Sequence, residues 1–212
     1  MTPATTGSHP RESGDPDLLS VMLLSKVIPI LKSGGIAVIP TDTIYGIVAR
    51  ALDRKAAERL FALRRKTLRK PFVILIDRVP RLKDFGIALD AGQRRFLTHA
   101  WPGKVSIVFP CNGNKFSYLH RGTNALAFRL PNKKDLRALL KKTGPLVAPS
   151  ANPEGEKPAE TAAQAKRYFG ARVDIYVDVG RLRRKPSTVI SLVGLSPKVL
   201  REGAVWFPTY VF

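Results

Sequence analysis

Cysteine is almost missing from this chain, and acidic residues are few beside its basic ones. The single thiol, Cys111, excludes an intramolecular disulfide and fits a reducing, cytoplasmic setting. With no base near it in sequence, Cys111 reads as a structural thiol rather than a nucleophile. The three histidines, His9, His99 and His120, share no metal-ligand spacing with one another or with Cys111, so no metal held by protein side chains is expected. Long apolar runs are also lacking: none approaches the roughly 20 residues needed to span a bilayer. Residues 1–17 are polar, carry Glu12, Asp15 and Asp17, and lack the apolar stretch of a secretory signal. They are expected to form a flexible tail, with 18–212 a single domain. Neither Gly-x-Gly-x-x-Gly after a strand nor Gly-x-x-x-x-Gly-Lys-[Ser/Thr] occurs, which excludes the two commonest phosphate-binding loops.

What is present is positive charge. Lys and Arg number 36 against 16 Asp and Glu, a formal net charge of +20, so the partners should be anionic: nucleotides, nucleic acid or anionic membranes. A composition that is 44% hydrophobic and 25% charged fits a globular fold rather than a disordered chain.

The hydrophobic pattern predicts a helix over 18–32 that Pro29 kinks or shortens, then a buried strand over 36–39. Asp53 is a natural N-cap for a helix with Ala56, Ala57, Leu60, Phe61 and Leu63 on one face. Strands follow over 72–76, 105–109, 125–130 and 146–148, with extended segments at 173–177, 188–192 and 199–201. Between them lie a helix from Asp90 to the Trp101-Pro102-Gly103 stop, one bracketed by Asn132 and Gly144, and one over 161–169. Such interleaving predicts an α/β fold whose mixed sheet is flanked by helices.

Four segments could carry chemistry. Pro40-Thr41-Asp42-Thr43-Ile44-Tyr45-Gly46 leaves a buried strand with hydroxyls, a phenol and a glycine that lets a ligand approach, although a strand-ending turn uses the same residues. Arg64-Arg65-Lys66-Thr67-Leu68-Arg69-Lys70 gathers five cations, more than the one or two that a helix C-terminus needs. Ser150-Ala151-Asn152 places a hydroxyl and an amide two residues apart, ahead of an Asn-Pro turn signal. Pro186-Ser187-Thr188 and Leu200-Arg201-Glu202-Gly203 add another hydroxyl and another arginine.

In this order, together with Trp101-Pro102-Gly103 and Phe128-Arg129-Leu130-Pro131, the segments resemble the YrdC-like family, the threonylcarbamoyl-AMP synthases of tRNA modification. The resemblance covers about 32–204. It implies a twisted mixed sheet around a large basic cavity, and a reaction joining L-threonine, bicarbonate and ATP into threonylcarbamoyl-adenylate, with release of pyrophosphate. It points to Thr43, Arg129 and Ser187 for threonine and to Lys66, Lys70, Ser150, Asn152 and Arg201 for ATP. Arg64, Lys66, Ser150 and Asn152 would form the catalytic tetrad, with Mg²⁺ arriving on the nucleotide. The product would pass to downstream threonylcarbamoyl transferase proteins and tRNA. The same basic cavity could instead serve a non-catalytic module for tRNA or double-stranded RNA, or one for ribosome assembly. The chain departs from the family pattern where Arg64-Arg65-Lys66 stands for Lys-x-Arg and Lys70 for Asn. Leu75 and Ala125 replace a His and a Thr, and the chamber is expected to lose two polar contacts there.

Overall fold

A computed structural model describes residues 16–64, 72–194 and 196–208. Two helices, α1 (Pro16–Ser25) and α2 (Val27–Lys32), occupy the stretch expected to be one. The break at Lys26 has a simple cause: Pro29 has no N–H to donate to the Ser25 carbonyl four residues back, and its ring crowds that oxygen. Because α1 begins at Pro16, the last two residues assigned to a tail belong to a helix.

Next come β1 (Ala37–Pro40), β2 (Tyr45–Arg50), α3 (Arg54–Leu63), β3 (Val73–Leu75), a 3₁₀ helix (Val79–Phe85), α4 (Ala91–Ala100) and β4 (Val105–Pro110). The second half holds α5 (Ser117–His120), β5 (Ala125–Arg129), α6 (Lys134–Thr143), β6 (Leu146–Val147), α7 (Ala162–Phe169), β7 (Ile175–Tyr176), β8 (Thr188–Ser191) and β9 (Lys198–Arg201). Asp53 caps α3 by accepting from the Ala56 N–H at 3.1 Å, and Asp90 forms a full capping box with Gln93 on α4. The N-cap of α6 is Lys133, one residue beyond the expected Asn132.

Among the described residues the strands form one mixed sheet in the order β7-β1-β2-β6-β3-β5-β4-β8-β9. β1/β7, β3/β5 and β4/β8 run parallel; the other neighbours are antiparallel. Alternation along each strand sends side chains to two cores. Val38, Ile47, Ile74, Ile107 and Phe128 pack with Leu60, Phe61, Phe96 and Phe169 from α3, α4 and α7. Ala37, Ile39, Val48, Leu75 and Leu146 pack on the other side with Leu24, Val27 and Leu31 of α1 and α2 and with Leu136, Leu139 and Leu140 of α6. β2 was not expected as a strand; the turn residues before it and the short apolar run Ile47-Val48-Ala49 hid a hairpin with β1.

Candidate active site

The turn between β1 and β2 is organised by one hydroxyl. Thr41 Oγ1 accepts from the N–H groups of Thr43 and Ile44 at 3.1 and 3.2 Å and donates to the Ile44 carbonyl at 2.7 Å. Thr41 Oγ1 also lies 3.0 Å from Thr43 Oγ1, a contact in which either hydroxyl could donate. Arg129, at the end of β5, donates from Nη1 to Thr43 Oγ1 at 3.1 Å. The Thr43 hydroxyl thus meets both Thr41 and Arg129 and faces the cavity described below.

Arg129 Nη2 lies 3.0 Å from Asp42 Oδ1, and both residues are buried. Neither carboxylate oxygen of Asp42, nor Arg129 Nε, has an aligned hydrogen-bond partner among the described residues, so charge rather than hydrogen-bond geometry holds the pair. Burial pushes the Arg129 pKa down; Asp42 opposes that shift and the neighbouring Arg201 adds to it.

Arg64 caps the C-terminus of α3. Its Nε donates to the Asn152 carbonyl at 2.6 Å, and its guanidinium lies over the Phe72 ring, 5.3 Å from the centroid. Burial lowers its pKa to about 10, partly offset by Glu154, so it remains a cation at neutral pH.

On the opposite wall Ser187 Oγ meets Ser106 Oγ at 2.8 Å, and Arg201 donates from Nη2 to the Ser187 carbonyl at 2.8 Å. Partial desolvation lowers the Arg201 pKa, although the residue lies on the exposed strand β9. Gly203 permits this arrangement: a Cβ there would come within 2.3 Å of the Pro186 carbonyl and 2.6 Å of that of Ser187.

These groups surround one cavity of about 290 Å³, to which Thr43, Arg64, Arg129, Ser150, Ser187 and Arg201 all contribute. Ser150 stands beside Gly46 across a bridge and lines the cavity. Asn152 is placed differently from the other expected residues: its amide nitrogen donates to the Pro153 and Glu156 carbonyls at 2.8 and 2.7 Å, its Oδ1 is buried without a hydrogen-bond partner among the described residues, and it is not among the lining residues. Lys66 and Lys70 lie outside the described residues. Leu75 is fully buried in the second core, and neither it nor Ala125 lines the cavity, so the two expected polar losses do not fall on this wall.

Tyr45 lines the cavity, but its phenol is committed elsewhere. It donates to the Gly180 carbonyl at 2.7 Å, accepts from the Val179 N–H at 3.0 Å, and its pKa is pushed up to about 12, chiefly by burial. Sequence reasoning missed Ser106, Phe72 and Glu154. A serine inside the apolar run of β4 was a usable signal for the first; nothing local marked the other two.

A mixed α/β sheet with three arginines and three hydroxyls around one cavity defines the class: an α/β protein with a basic, hydroxyl-lined chamber. The chain belongs to the Sua5/YciO/YrdC family, described as "Telomere recombination", whose pattern matches residues 29–203. It is 37% identical over 174 residues to the threonylcarbamoyl-AMP synthase of Thiobacillus denitrificans, covering 81% of this chain and 90% of that one. It is 32% identical to the enzyme of the same name from Marinobacter nauticus, with 86% and 96% covered. The crystal structure of P. abyssi Sua5 complexed with L-threonine superposes with a TM-score of 0.78 at 26% identity, over 85% of this chain. This chain spans about half of that one, 54%. E. coli YciO superposes at 0.75 with 25% identity, over 86% of this chain and 90% of its own.

Proposed function

We propose that residues 18–212 form one domain that makes threonylcarbamoyl-AMP and pyrophosphate from L-threonine, bicarbonate and ATP, a nucleotidyl transfer. The observation that carries this reading is the Arg129–Thr43 bond opening onto the cavity that Arg64, Ser150 and Arg201 also line. The relatives named threonylcarbamoyl-AMP synthase, matched over most of their length, support the same activity.

In this scheme the Thr43 hydroxyl faces a polar group of threonine, bound with its amine unprotonated, while Arg129 and Ser187 face the carboxylate. The amine adds to the bicarbonate carbon with loss of water, giving a carbamate. A carbamate oxygen then attacks the α-phosphorus, the bond to the bridging oxygen breaks, and pyrophosphate departs. Arg64 and Arg201, with Lys66 and Lys70, neutralise the phosphoryl and leaving-group oxygens, and Ser150 donates a hydroxyl to a phosphate. Asn152 acts through the loop it closes and through its carbonyl, which fixes Arg64. Mg²⁺ enters on the triphosphate as part of the substrate. Among the described residues no His, Cys, Asp and Glu cluster is placed to hold an ion.

Pyrophosphate release that needs ATP, threonine and bicarbonate together is the test; release indifferent to threonine and bicarbonate overturns the reading. The +20 charge supports tRNA as the acceptor of the product in a further step by a transferase protein. Among the described residues no helix is long and apolar enough to cross a membrane.

A further inference from the structure

Arg64 is one end of a four-layer column. Its guanidinium lies over Phe72, 5.3 Å from the centroid; Phe72 stacks on Phe61 with centroids 4.1 Å apart and planes 11° from parallel; and the guanidinium of Arg121 covers the far face of Phe61 at 4.7 Å. The architecture explains how it assembles. Phe61 and Arg64 are three residues apart at the end of α3, so they share one side of the helix, and Phe72, entering β3, slots its ring between them.

Arg121 is committed to this column at some cost. Its backbone is left-handed, with φ 48°, and its Nε is buried without a hydrogen-bond partner among the described residues. Both ring faces at the column's ends therefore carry a cation, the arrangement that the negative faces of aromatic rings favour. Arg64 is then fixed by its face on Phe72 and by Nε on the Asn152 carbonyl, and the residue lines the cavity together with Glu154. A guanidinium held in this way presents two donors in a set plane, which a lysine could not do.

We propose that Phe72, Phe61 and Arg121 form a positioning column for Arg64, orienting its fork toward the phosphates of the nucleotide. The proposal rests on the functional reading above, in which Arg64 faces ATP. Phe72 and Arg121 act through Arg64, and Arg121 does so from outside the cavity.

The test uses the full chain and the variants Phe72→Leu, Phe72→Tyr, Arg121→Gln and Arg64→Lys, followed by threonine-dependent pyrophosphate release. Phe72→Leu should raise the KM for ATP on the order of tenfold and leave that for threonine within about twofold; Phe72→Tyr, which keeps the ring, should restore the wild-type value. Arg121→Gln should raise the ATP KM a few-fold, about threefold, without touching the cavity wall. In an Arg64→Lys background both effects should vanish, because the planar partner is gone. An unchanged ATP KM in Phe72→Leu overturns the proposal, as does an equal loss with Lys at 64, which would make Phe72 a direct ligand contact.

A second readout needs no turnover. The Arg64 Nε–H resonance of the unligated protein should be displaced by the Phe72 ring current and return to its ordinary position in Phe72→Leu; an undisplaced wild-type resonance overturns the column. A wild-type chain that shows the displaced resonance yet releases no threonine-dependent pyrophosphate would overturn the functional reading instead.

Discussion

The hydroxyls of Ser106 and Ser187 are 2.8 Å apart in the protein interior, although 81 residues separate them in sequence. Ser106 is fully buried on β4 and has no route to a ligand except through Ser187. Among the described residues, replacing it by alanine leaves Ser187 Oγ with only the long 3.4 Å contact to Arg201 Nη2. Ser106→Ala should cost about 1 kcal/mol in urea unfolding and raise the threonine KM several-fold. Ser106→Thr, which keeps a hydroxyl, should retain most of the affinity.

Thr43 is the point at which the threonine half of the site can be tested without changing its volume. Thr43→Val removes the acceptor for Arg129 Nη1 and the hydroxyl that faces the cavity together. The threonine KM should rise about tenfold, with the ATP KM nearly unchanged and the melting temperature lowered by only a few degrees. Equal loss of affinity for both substrates would contradict the assignment.

Gly203→Ala should be among the most damaging small substitutions. The added methyl would meet backbone, not a flexible side chain, at Pro186 and Ser187. A destabilisation of about 1–3 kcal/mol is expected, together with weaker ATP binding by calorimetry, because the Ser187–Arg201 contact must shift. Arg201→Lys provides the comparison: weakened binding with little change in stability.

Tyr45→Phe should loosen the connection between the β1–β2 hairpin and residues 178–180, costing about 1 kcal/mol near neutral pH. The phenol's pKa is raised from 10.0 to about 12, so the folded state holds its proton more tightly than the unfolded chain does. That stabilisation is complete below pH 10 and is lost as pH rises through about 12. The difference in unfolding free energy between wild type and Tyr45→Phe should therefore shrink across that range. A difference that grows with pH would show that the phenol ionises more readily in the fold.

Much of this arrangement was legible because it is local. Asp53, Asp90 and Thr161 each cap a helix where a polar residue precedes an amphipathic run, and Gly144 ends α6 with φ 79°. The ordered motifs also located Thr43, Arg64, Arg129, Ser150, Ser187 and Arg201, which one cavity brings together. What could not be read is what depends on distant chain segments meeting. Tyr45 carries the chemistry of a ligand contact, yet its hydroxyl is taken by residues more than 130 positions away. Asn152 offers an amide at a favourable spacing, but the turn that follows it captures both amide protons. Leu75 and Ala125 were expected to alter the chamber because of where their counterparts fall in a motif; burial of Leu75 against α6 is a property of the packed sheet.

The stacking of Phe72 on Arg64 has one more consequence. Residues 65–71 depart from one member of that pair and return at the other, so the two ends of the segment are already together before any ligand arrives. Joining two fixed ends costs chain entropy that rises only slowly with the length between them. Insertions or deletions within 65–71 should accordingly leave the fold almost as stable, measurable as a nearly unchanged urea midpoint. The scaffold therefore tolerates length variation here because Arg64 and Phe72 hold the two ends together.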